Sequence, residues 1–340
     1  MSPRYFPILK WKQGEQGAVL NLAAADRMHM LPIIEAQPTT RTTIGAALKA
    51  QLEKTGATLH PLAIDLRAVY PTGVPLQTLA RLCIALRGAG LLAYPAINSS
   101  DAFLNPAGLA AFRGFPAVVL RLDVRVTPLV NALALIQALR NAVGRRAQIF
   151  VVVDLGALGD SLVPNLVTLV EPFVRDITAT GAVTRAALAG GSFPFTLQGL
   201  PQGAQTRLPR KEWLVWQQLV QRPGCTDVRY GDYTVTNPQP MEIKDPTQIN
   251  PSAAIRYALR DEWWLLRAGG VRTAGFGQYN TLCQLLIRSP DYAGPAFSYG
   301  DERYQFHAGV GAKTGNLTTW RRDATNHHLV QTVRQLPPMP

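Results

Sequence analysis

Acidic side chains recur at the ends of short apolar segments in the first half of this sequence. The clearest case is VVVDLGAL at residues 151–158, in which a run of valines leads directly into Asp154. Glu35, Asp65 and Asp123 follow apolar runs in the same way. Carboxylates of this kind could hold Mg²⁺ or Mn²⁺ through oxygen ligands, or two of them could divide the roles of acid and base as in glycoside hydrolysis.

Basic and aromatic side chains stand at equivalent places. Lys10 closes the first apolar run, Arg67 follows the third, Arg121 lies within the fifth, and Tyr233 ends the eighth. A guanidinium or ammonium group at such a position could clamp a phosphate group. The residue types therefore favour metal chemistry and phosphate recognition about equally.

The elements that would bring these residues together can be read from hydrophobic periodicity. From residue 5 to about 235, eight apolar runs alternate with segments of helical spacing. The runs are continuously apolar, which is typical of a parallel sheet covered on both faces. This pattern predicts a (β/α)8 TIM-like barrel, with an open doubly wound sheet as the alternative. No glycine-rich dinucleotide loop follows the first run, which argues against the Rossmann form of that alternative.

In such a barrel the carboxyl ends of all strands meet at one mouth. Several charged side chains there would need mutual pairing or a ligand, because buried charge is costly. Strand ends are polar in any barrel, so each residue taken alone is equally well explained as a cap or a local hydrogen-bond partner. We expect Lys10, Glu35 and Asp232 to act together at this mouth.

The regular alternation stops after about residue 245. SAAIRYALRDEWWLLRAGG predicts two strands around the turn RDE, GQYNTLCQLLIRS predicts a helix, and WRRDATNHHLVQTVRQL predicts a closing helix that starts near Asp323. We therefore predict a barrel over residues 1–245 and a C-terminal α+β appendage, packed on the barrel, over residues 246–340. Adjacent histidines on a helix point about 100° apart, so His327 and His328 are poorly placed to share a metal, although one of them is expected to reach the mouth.

Charge and composition limit the class of partner and the compartment. The net charge of +12 favours acidic partners such as nucleic acid or nucleotides, although the basic residues are scattered. Three cysteines without metal-like spacing indicate reduced thiols. No apolar run is long enough to span a bilayer and the N-terminus lacks a signal core, so we expect a cytoplasmic protein with no membrane association.

Several segments together resemble the phage- and prophage-associated beta protein family. They are YFPILKWKQGEQGAV, LPIIEA, RYGDYTV, PSAAIRYALRDEWWLLRAGG and TW…NHH, in order over nearly the whole chain. The resemblance implies a phage-related or antiviral-defence setting and no particular reaction. The matching positions are Lys10, Lys12, Gly14, Glu15, Glu35, Gly231, Asp232, Tyr233, Arg256, Tyr257, Asn326, His327 and His328.

Three functions stay open, and with them the question of whether the chain is an enzyme. They are recognition of a phosphate-bearing ligand (nucleic acid or a nucleotide), metal-dependent hydrolysis with Mg²⁺ or Mn²⁺, and a non-catalytic role as a subunit of a phage or defence complex. The catalytic candidates are Lys10, Glu35, Asp65, Asp123, Asp154, Asp232, His327 and His328. The ligand-binding candidates are Lys10, Lys12, Arg67, Arg121, Tyr233 and Arg256. The metal candidates are Glu35, Asp65, Asp123 and Asp154.

Overall fold

The computed structural model describes residues 3–40, 42–55, 60–203, 205–239 and 250–337. The strands are β1 Tyr5–Leu9, β2 Ile33–Glu35, β3 Leu62–Asp65, β4 Ala93–Asn98, β5 Ala117–Asp123, β6 Gln148–Ala157, β7 Arg185–Gly191, β8 Gln205–Pro209, β9 Arg229–Asp232, β10 Ser252–Ala258 and β11 Glu262–Gly270. The α-helices are α1 Gln13–Leu20, α2 Ala24–Arg27, α3 Ile44–Lys54, α4 Leu76–Gly88, α5 Ser99–Leu104, α6 Leu129–Val143, α7 Val163–Ala179, α8 Lys211–Leu219, α9 Val271–Ala274, α10 Gln278–Ile287, α11 Tyr299–His307 and α12 Leu317–Gln335.

Eight parallel strands, β1 to β7 and then β9, form a closed barrel. Closure occurs at β1, which pairs with β2 on one side and with β9 on the other, placing Tyr5 opposite Tyr230. Helices lie between most successive strands. The predicted (β/α)8 TIM-like barrel is confirmed, and the open doubly wound sheet is excluded.

Successive side chains of a β-strand point to opposite faces of the sheet, so every second residue of each strand reaches the barrel interior. Phe6, Val119, Phe150 and Val152 belong to the buried cluster that fills it. Arg121 lies two residues beyond Val119, and Asp154 lies two residues beyond Val152. Both therefore point inward at the carboxyl ends of their strands, on top of the apolar filling.

The predicted helices of the barrel are present. In α3, Thr43 caps the first turn by accepting a hydrogen bond from the Ala46 amide. The sequence places Gly56 at the end of this helix, and that residue lies outside the described residues. Pro75 immediately precedes α4 and Pro128 immediately precedes α6. Gly144 ends α6 with φ of 83°, a backbone conformation that favours glycine.

The chain divides into two compact units. The first unit comprises Met1–Trp11, Arg27–Gly191 and Lys211–Tyr233, and the second comprises Lys12–Asp26, Ser192–Arg210 and Thr234–Pro340. The predicted boundary between residues 245 and 246 lies outside the described residues. The division into 1–245 and 246–340 stays a prediction, and the second unit also contains two segments that come from before that boundary.

A three-stranded antiparallel sheet, in the order β10-β11-β8, is the framework of the second unit. Tyr257, Trp264, Tyr279 and Trp320 pack in its buried core. The predicted strands around RDE and the predicted helix in GQYNTLCQLLIRS are confirmed as β10, β11 and α10. The final segment QLPPMP predicts a loose tail, and its residues 338–340 lie outside the described residues.

The closing helix begins earlier than predicted. It starts at Leu317 rather than near Asp323, because Asn316 caps it in a reciprocal capping box with Thr319. Sequence analysis also missed β8 and α11, both rich in polar residues. Among the described helices, none is long and apolar enough to cross a membrane.

Candidate functional site

The carboxyl ends of the barrel strands carry a group of paired polar side chains that we call the mouth cluster. Parallel register places Glu35 beside Asp65 and Asn98 beside Arg121. Each of these strands is apolar up to its last inward position, so the polar side chains meet where the filling ends. The mouth cluster consists of Glu35, Asp65, Arg67, Arg121, Asp154 and Tyr233.

Arg121 is the centre of the mouth cluster and is 1% exposed. Its Nη1 donates to Glu35 Oε1 at 2.9 Å and to Asp65 Oδ2 at 2.5 Å. Its Nη2 donates to Asp154 Oδ2 at 2.8 Å and to the Tyr233 hydroxyl oxygen at 2.7 Å. One buried guanidinium therefore holds three carboxylates, each from a different strand.

Asp154 and Tyr233 complete one side of the mouth cluster. The Tyr233 hydroxyl donates to Asp154 Oδ2 at 2.6 Å, and the Gly156 amide donates to Asp154 Oδ1 at 2.9 Å. Burial raises the pKa of Tyr233 well above its usual value, so the phenol keeps its proton. Asp154 is thus an acceptor whose oxygens are satisfied by neighbouring donors, and its strand continues past it to Ala157.

Asp65 anchors the other side and is fully buried. Its Oδ1 accepts from the Arg67 amide at 2.8 Å and from Asn98 Nδ2 at 3.1 Å. Its Oδ2 accepts from Arg67 Nε at 3.2 Å in addition to Arg121. Arg67 also lies 3.3 Å from Glu35 Oε1 through Nε and 3.5 Å from Asp154 Oδ2 through Nη2.

The protonation of the mouth cluster follows from burial and mutual charge. Burial raises the pKa values of both Glu35 and Asp65, and Arg121 opposes each shift. The charge of Asp65 raises the pKa of Glu35 further, whereas Lys10 is near enough to lower it. Burial alone would lower the pKa of Arg121, but its anionic neighbours raise it well above the usual value. Arg121 is therefore permanently charged, and burial favours the protonated forms of both Glu35 and Asp65.

A cavity of 360 Å³ opens beside the mouth cluster. Arg67, Arg121 and Asp154 contribute to its wall, and the loop after β3 and the first turn of helix α5 supply most of the rest. Further lining residues include Tyr70, Thr72, Asn98, Ser100 and Asp101. A space of this volume lies within the range of small-ligand sites.

The four predicted metal ligands do not form a metal site. Glu35, Asp65 and Asp154 share Arg121, whereas Asp123 pairs with Arg125 at 2.7 Å and stands apart from that cation. Hydrogen bonds from Arg125 hold the pKa of Asp123 below its usual value despite partial burial. Across the described ranges, no group of three or more His, Cys, Asp or Glu side chains is arranged to hold a metal ion. The residues therefore do not fit a bound Mg²⁺ or Mn²⁺.

Asp232 does not join the mouth cluster, which corrects the prediction that it acts there with Glu35. Its neighbour Tyr233 points into the barrel, so the alternation of the strand turns Asp232 to the outer side. There its carboxylate accepts hydrogen bonds from the Tyr5 hydroxyl at 2.6 Å and the Tyr230 hydroxyl at 3.0 Å. The ring of Tyr230 packs against Trp213 of helix α8, so Tyr230 and Asp232 face the helices on the outside of the barrel.

The two histidines are parts of the core of the second unit, which corrects their assignment as candidate catalytic groups. His327 has Nδ1 2.8 Å from Asp301 Oδ2 and Nε2 2.8 Å from the Ala258 carbonyl oxygen. His328 is fully buried and stacks on Trp263 with ring centroids 5.0 Å apart. Both rings are held by packing and hydrogen bonds, with no exposed surface to offer a substrate.

The remaining ligand-binding candidates are divided between the two units. Lys10, Arg67, Arg121 and Tyr233 belong to the barrel, whereas Lys12 and Arg256 belong to the second unit. Lys12 is exposed. Sequence reasoning did not single out Tyr70, Thr72 or Ser100 as cavity residues, because neither a loop nor the first turn of a short helix carries a periodic signal that assigns its residues to a wall.

The fold and the mouth cluster define a TIM barrel that carries a network of carboxylates around one buried arginine at the carboxyl ends of its strands. The chain belongs to the Beta protein family, whose model matches residues 5–334. This match confirms the resemblance inferred from the sequence segments.

One solved structure similar to this chain is described as "Crystal structure of a putative lyase/mutase from Burkholderia cenocepacia J2315". It shares 14% identity, with 68% of this chain and 76% of that chain covered at a TM-score of 0.35. A likeness at this level carries no argument about the mouth or its chemistry. No match was found among curated proteins.

The pH dependence of stability should report the raised pKa of Glu35, whose usual value is 4.5. Above that pH the unfolded chain ionises Glu35 more readily than the folded chain does, so folding becomes less favourable as pH rises through the raised pKa. We expect the unfolding free energy of the wild type, relative to Glu35→Gln, to fall over this window by about 1.4 kcal/mol for each unit by which the pKa is raised. Urea unfolding of both proteins across pH 4 to 8 measures this difference. A difference that grows with pH would contradict the assignment.

Proposed function

We propose that the barrel mouth binds a small phosphate-bearing ligand, most simply a nucleotide. The observation that carries the proposal is the 360 Å³ cavity with Arg67 on its wall. Its volume suits a mononucleotide rather than a duplex, and a phosphate group is the partner that a guanidinium fork recognises best. Membership of the Beta protein family supports a phage-related setting for this binding.

Arg67 rather than Arg121 is the anion-binding group. The Arg121 side chain is 1% exposed and both of its Nη atoms donate within the mouth cluster. The Arg67 side chain is 37% exposed, whereas its Nη2 is itself buried and has no hydrogen-bond partner within the described ranges. The contact of this nitrogen with Asp154 is a 3.5 Å ion pair, which a phosphate oxygen can replace with a shorter charge-assisted bond.

The rest of the cavity wall suits the other parts of a nucleotide. Tyr70 offers a half-buried aromatic ring on which a base could stack, and Thr72 and Ser100 are exposed at the same cavity. Asp101 supplies a carboxylate that could accept from a ribose hydroxyl. Arg121 lies on the wall of the cavity and holds the carboxylates of the mouth cluster in place, so the site is organised before the ligand binds.

A non-catalytic role is the second candidate, and the self-paired mouth cluster favours it. Every carboxylate in that cluster already has a cationic partner, which is how a purely structural network satisfies buried charge. Under this alternative the cavity would bind no ligand and Arg67 would serve only to cover the carboxylates.

Calorimetric titration with a panel of mononucleotides tests the proposal. We expect at least one nucleotide to bind the wild type, and Arg67→Gln to weaken that binding at least tenfold, because a hydrogen bond to a charged group contributes about 1.5–3 kcal/mol. Arg67 is more than a third exposed, so its loss should change the unfolding free energy by less than about 1 kcal/mol.

The matched control is Arg146→Gln, which removes the same charge from an exposed position in the turn before β6, at the opposite ends of the strands. Unspecific attraction by the net positive charge would weaken binding equally in both variants. Absence of binding by every mononucleotide in the panel would contradict the proposal and leave the non-catalytic alternative.

A further inference from the structure

Two arginines of the second unit converge on one carbonyl oxygen. Nη1 of Arg256 donates to the Val235 carbonyl at 2.9 Å, and Nη1 of Arg321 donates to the same oxygen at 3.0 Å. A single acceptor within hydrogen-bond reach of both guanidiniums brings two positive charges close together. Such a pair is unfavourable unless an anion lies between or beside them.

The backbone that carries this carbonyl is strained. Thr234, directly before Val235, has φ of 52°, in the left-handed region that β-branched residues rarely adopt. It is the only residue other than glycine with a positive φ among those that the structure describes. Backbone strain at one residue persists where the surroundings impose it, and it is concentrated at ligand clamps and active sites.

The charges around the pair do not balance. Burial and, to a lesser extent, the charge of Arg321 lower the pKa of Arg256 to about 9, while Glu15 acts in the opposite direction. Glu15 is 2% exposed, and its Oε2 has no hydrogen-bond partner within the described residues. No direct ion pair joins Glu15 to either guanidinium in that part of the chain. Two cations and one carboxylate therefore leave a surplus of positive charge in a crowded place.

We infer that Arg256 and Arg321 form an oxyanion site that takes the phosphate group of a ligand. Each guanidinium donates one hydrogen bond to the Val235 carbonyl within the described ranges, which leaves its other N–H groups for a ligand, and each residue as a whole is half-buried. Arg256 is also held 4.7 Å from the ring centre of Phe193, which fixes the plane of its fork. A tetrahedral oxyanion can accept from both forks and neutralise the surplus charge.

None of these residues belongs to the mouth cluster, so the inference stands apart from the proposed nucleotide site. The sequence showed Arg256 as a member of a resembling segment, and it gave no sign of Arg321. What identifies the pair is the shared Val235 carbonyl, a contact between positions 86 residues apart in the case of Arg321.

Protection from an arginine reagent tests the site on the intact wild-type protein. Phenylglyoxal reacts with the neutral guanidine, so the lowered pKa of Arg256 should make that residue react faster than exposed arginines such as Arg288. We expect inorganic phosphate, compared with chloride at equal ionic strength, to slow modification of Arg256 and Arg321 at least tenfold and to leave Arg288 unaffected. Peptide mapping by mass spectrometry measures each rate. Equal rates with and without phosphate would overturn the inference.

Variants supply the second measurement. Arg256→Gln and Arg321→Gln should each weaken phosphate binding, measured by calorimetry, at least tenfold, whereas the exposed second-unit control Arg288→Gln should not. Arg67→Gln should keep the phosphate protection of Arg256, which separates this site from the proposed mouth site. Loss of that protection in Arg67→Gln, or an equal loss of phosphate binding in Arg288→Gln, would overturn the assignment.

Discussion

Replacing Arg121 by methionine is expected to lower the free energy of unfolding by about 3–5 kcal/mol. Arg121 is the one cation that contacts Glu35, Asp65 and Asp154 together at 2.5–2.9 Å in the described residues. Methionine fills a similar volume but leaves those buried carboxylates with only the longer cationic contacts of the partly exposed Arg67, at 3.2–3.5 Å. The loss should be smaller at acidic pH, where the carboxylates take up protons. Urea unfolding at neutral and acidic pH measures both effects.

The matched control is Arg125→Met, which removes an arginine four residues further along the chain, just after the end of β5. Arg125 pairs with Asp123 at 2.7 Å, but its side chain is 51% exposed, and exposed pairs contribute about 0–1 kcal/mol. Similar losses in the two variants would mean that burial does not set the strength of the Arg121 network.

The second large effect is expected from Gly300→Ala in the second unit. A Cβ atom at position 300 would overlap the carbonyl oxygen of Asp323 in helix α12, where helices α11 and α12 approach through their backbones. The amide of Gly300 also donates to Asn326 Oδ1 at 2.9 Å, so the helix cannot move away without losing that bond. We expect a loss of about 3 kcal/mol, at the upper end for overpacking, measured by denaturant unfolding.

Gly277→Ala is the matched control for this prediction. Gly277 lies in the same unit, has a helical backbone, and has nothing within 4 Å of an added Cβ. The substitution should leave stability unchanged or raise it by up to about 1 kcal/mol through the unfolded chain. A destabilised Gly277→Ala protein with a stable Gly300→Ala protein would contradict the close approach of α11 and α12.

The barrel could be predicted from sequence because its physical signal is redundant. Each strand must be apolar on both faces, each helix must cover it, and the unit recurs. The inward residues follow from the same rule, since Arg121 and Asp154 continue the inward series of Val119 and Val152. Hydrophobic periodicity does not predict which charged side chains pair with one another. The network around Arg121 depends on strand register, which only the closed sheet fixes.

The errors have specific causes. Asp232 and Tyr233 were both assigned to the mouth, although adjacent strand residues face opposite sides and Tyr233 occupies the inner one. One of His327 and His328 was expected to reach the mouth, because a polar NHH segment is easier to satisfy over charged groups than against an apolar surface. In the fold His327 forms hydrogen bonds with Asp301 and the Ala258 carbonyl, and His328 lies 3.5 Å from the Thr332 hydroxyl, all within the second unit. These contacts offset the cost of burying the two rings. Strand β8 has half-exposed polar residues and no apolar signal.

Barrel closure through β9 has a consequence for how the chain folds during synthesis. The hydrogen bond between Tyr5 and Asp232 joins positions 227 residues apart, and β1 has only β2 as a neighbour until β9 emerges. Until then β1 and β7 both present unpaired strand edges, which can pair with other chains. Tyr233 emerges with β9 as well, so Arg121 lacks its hydroxyl partner during the same interval. Ribosome-bound chains that end before residue 229 should therefore associate through these edges, and chains that extend past Tyr233 should not.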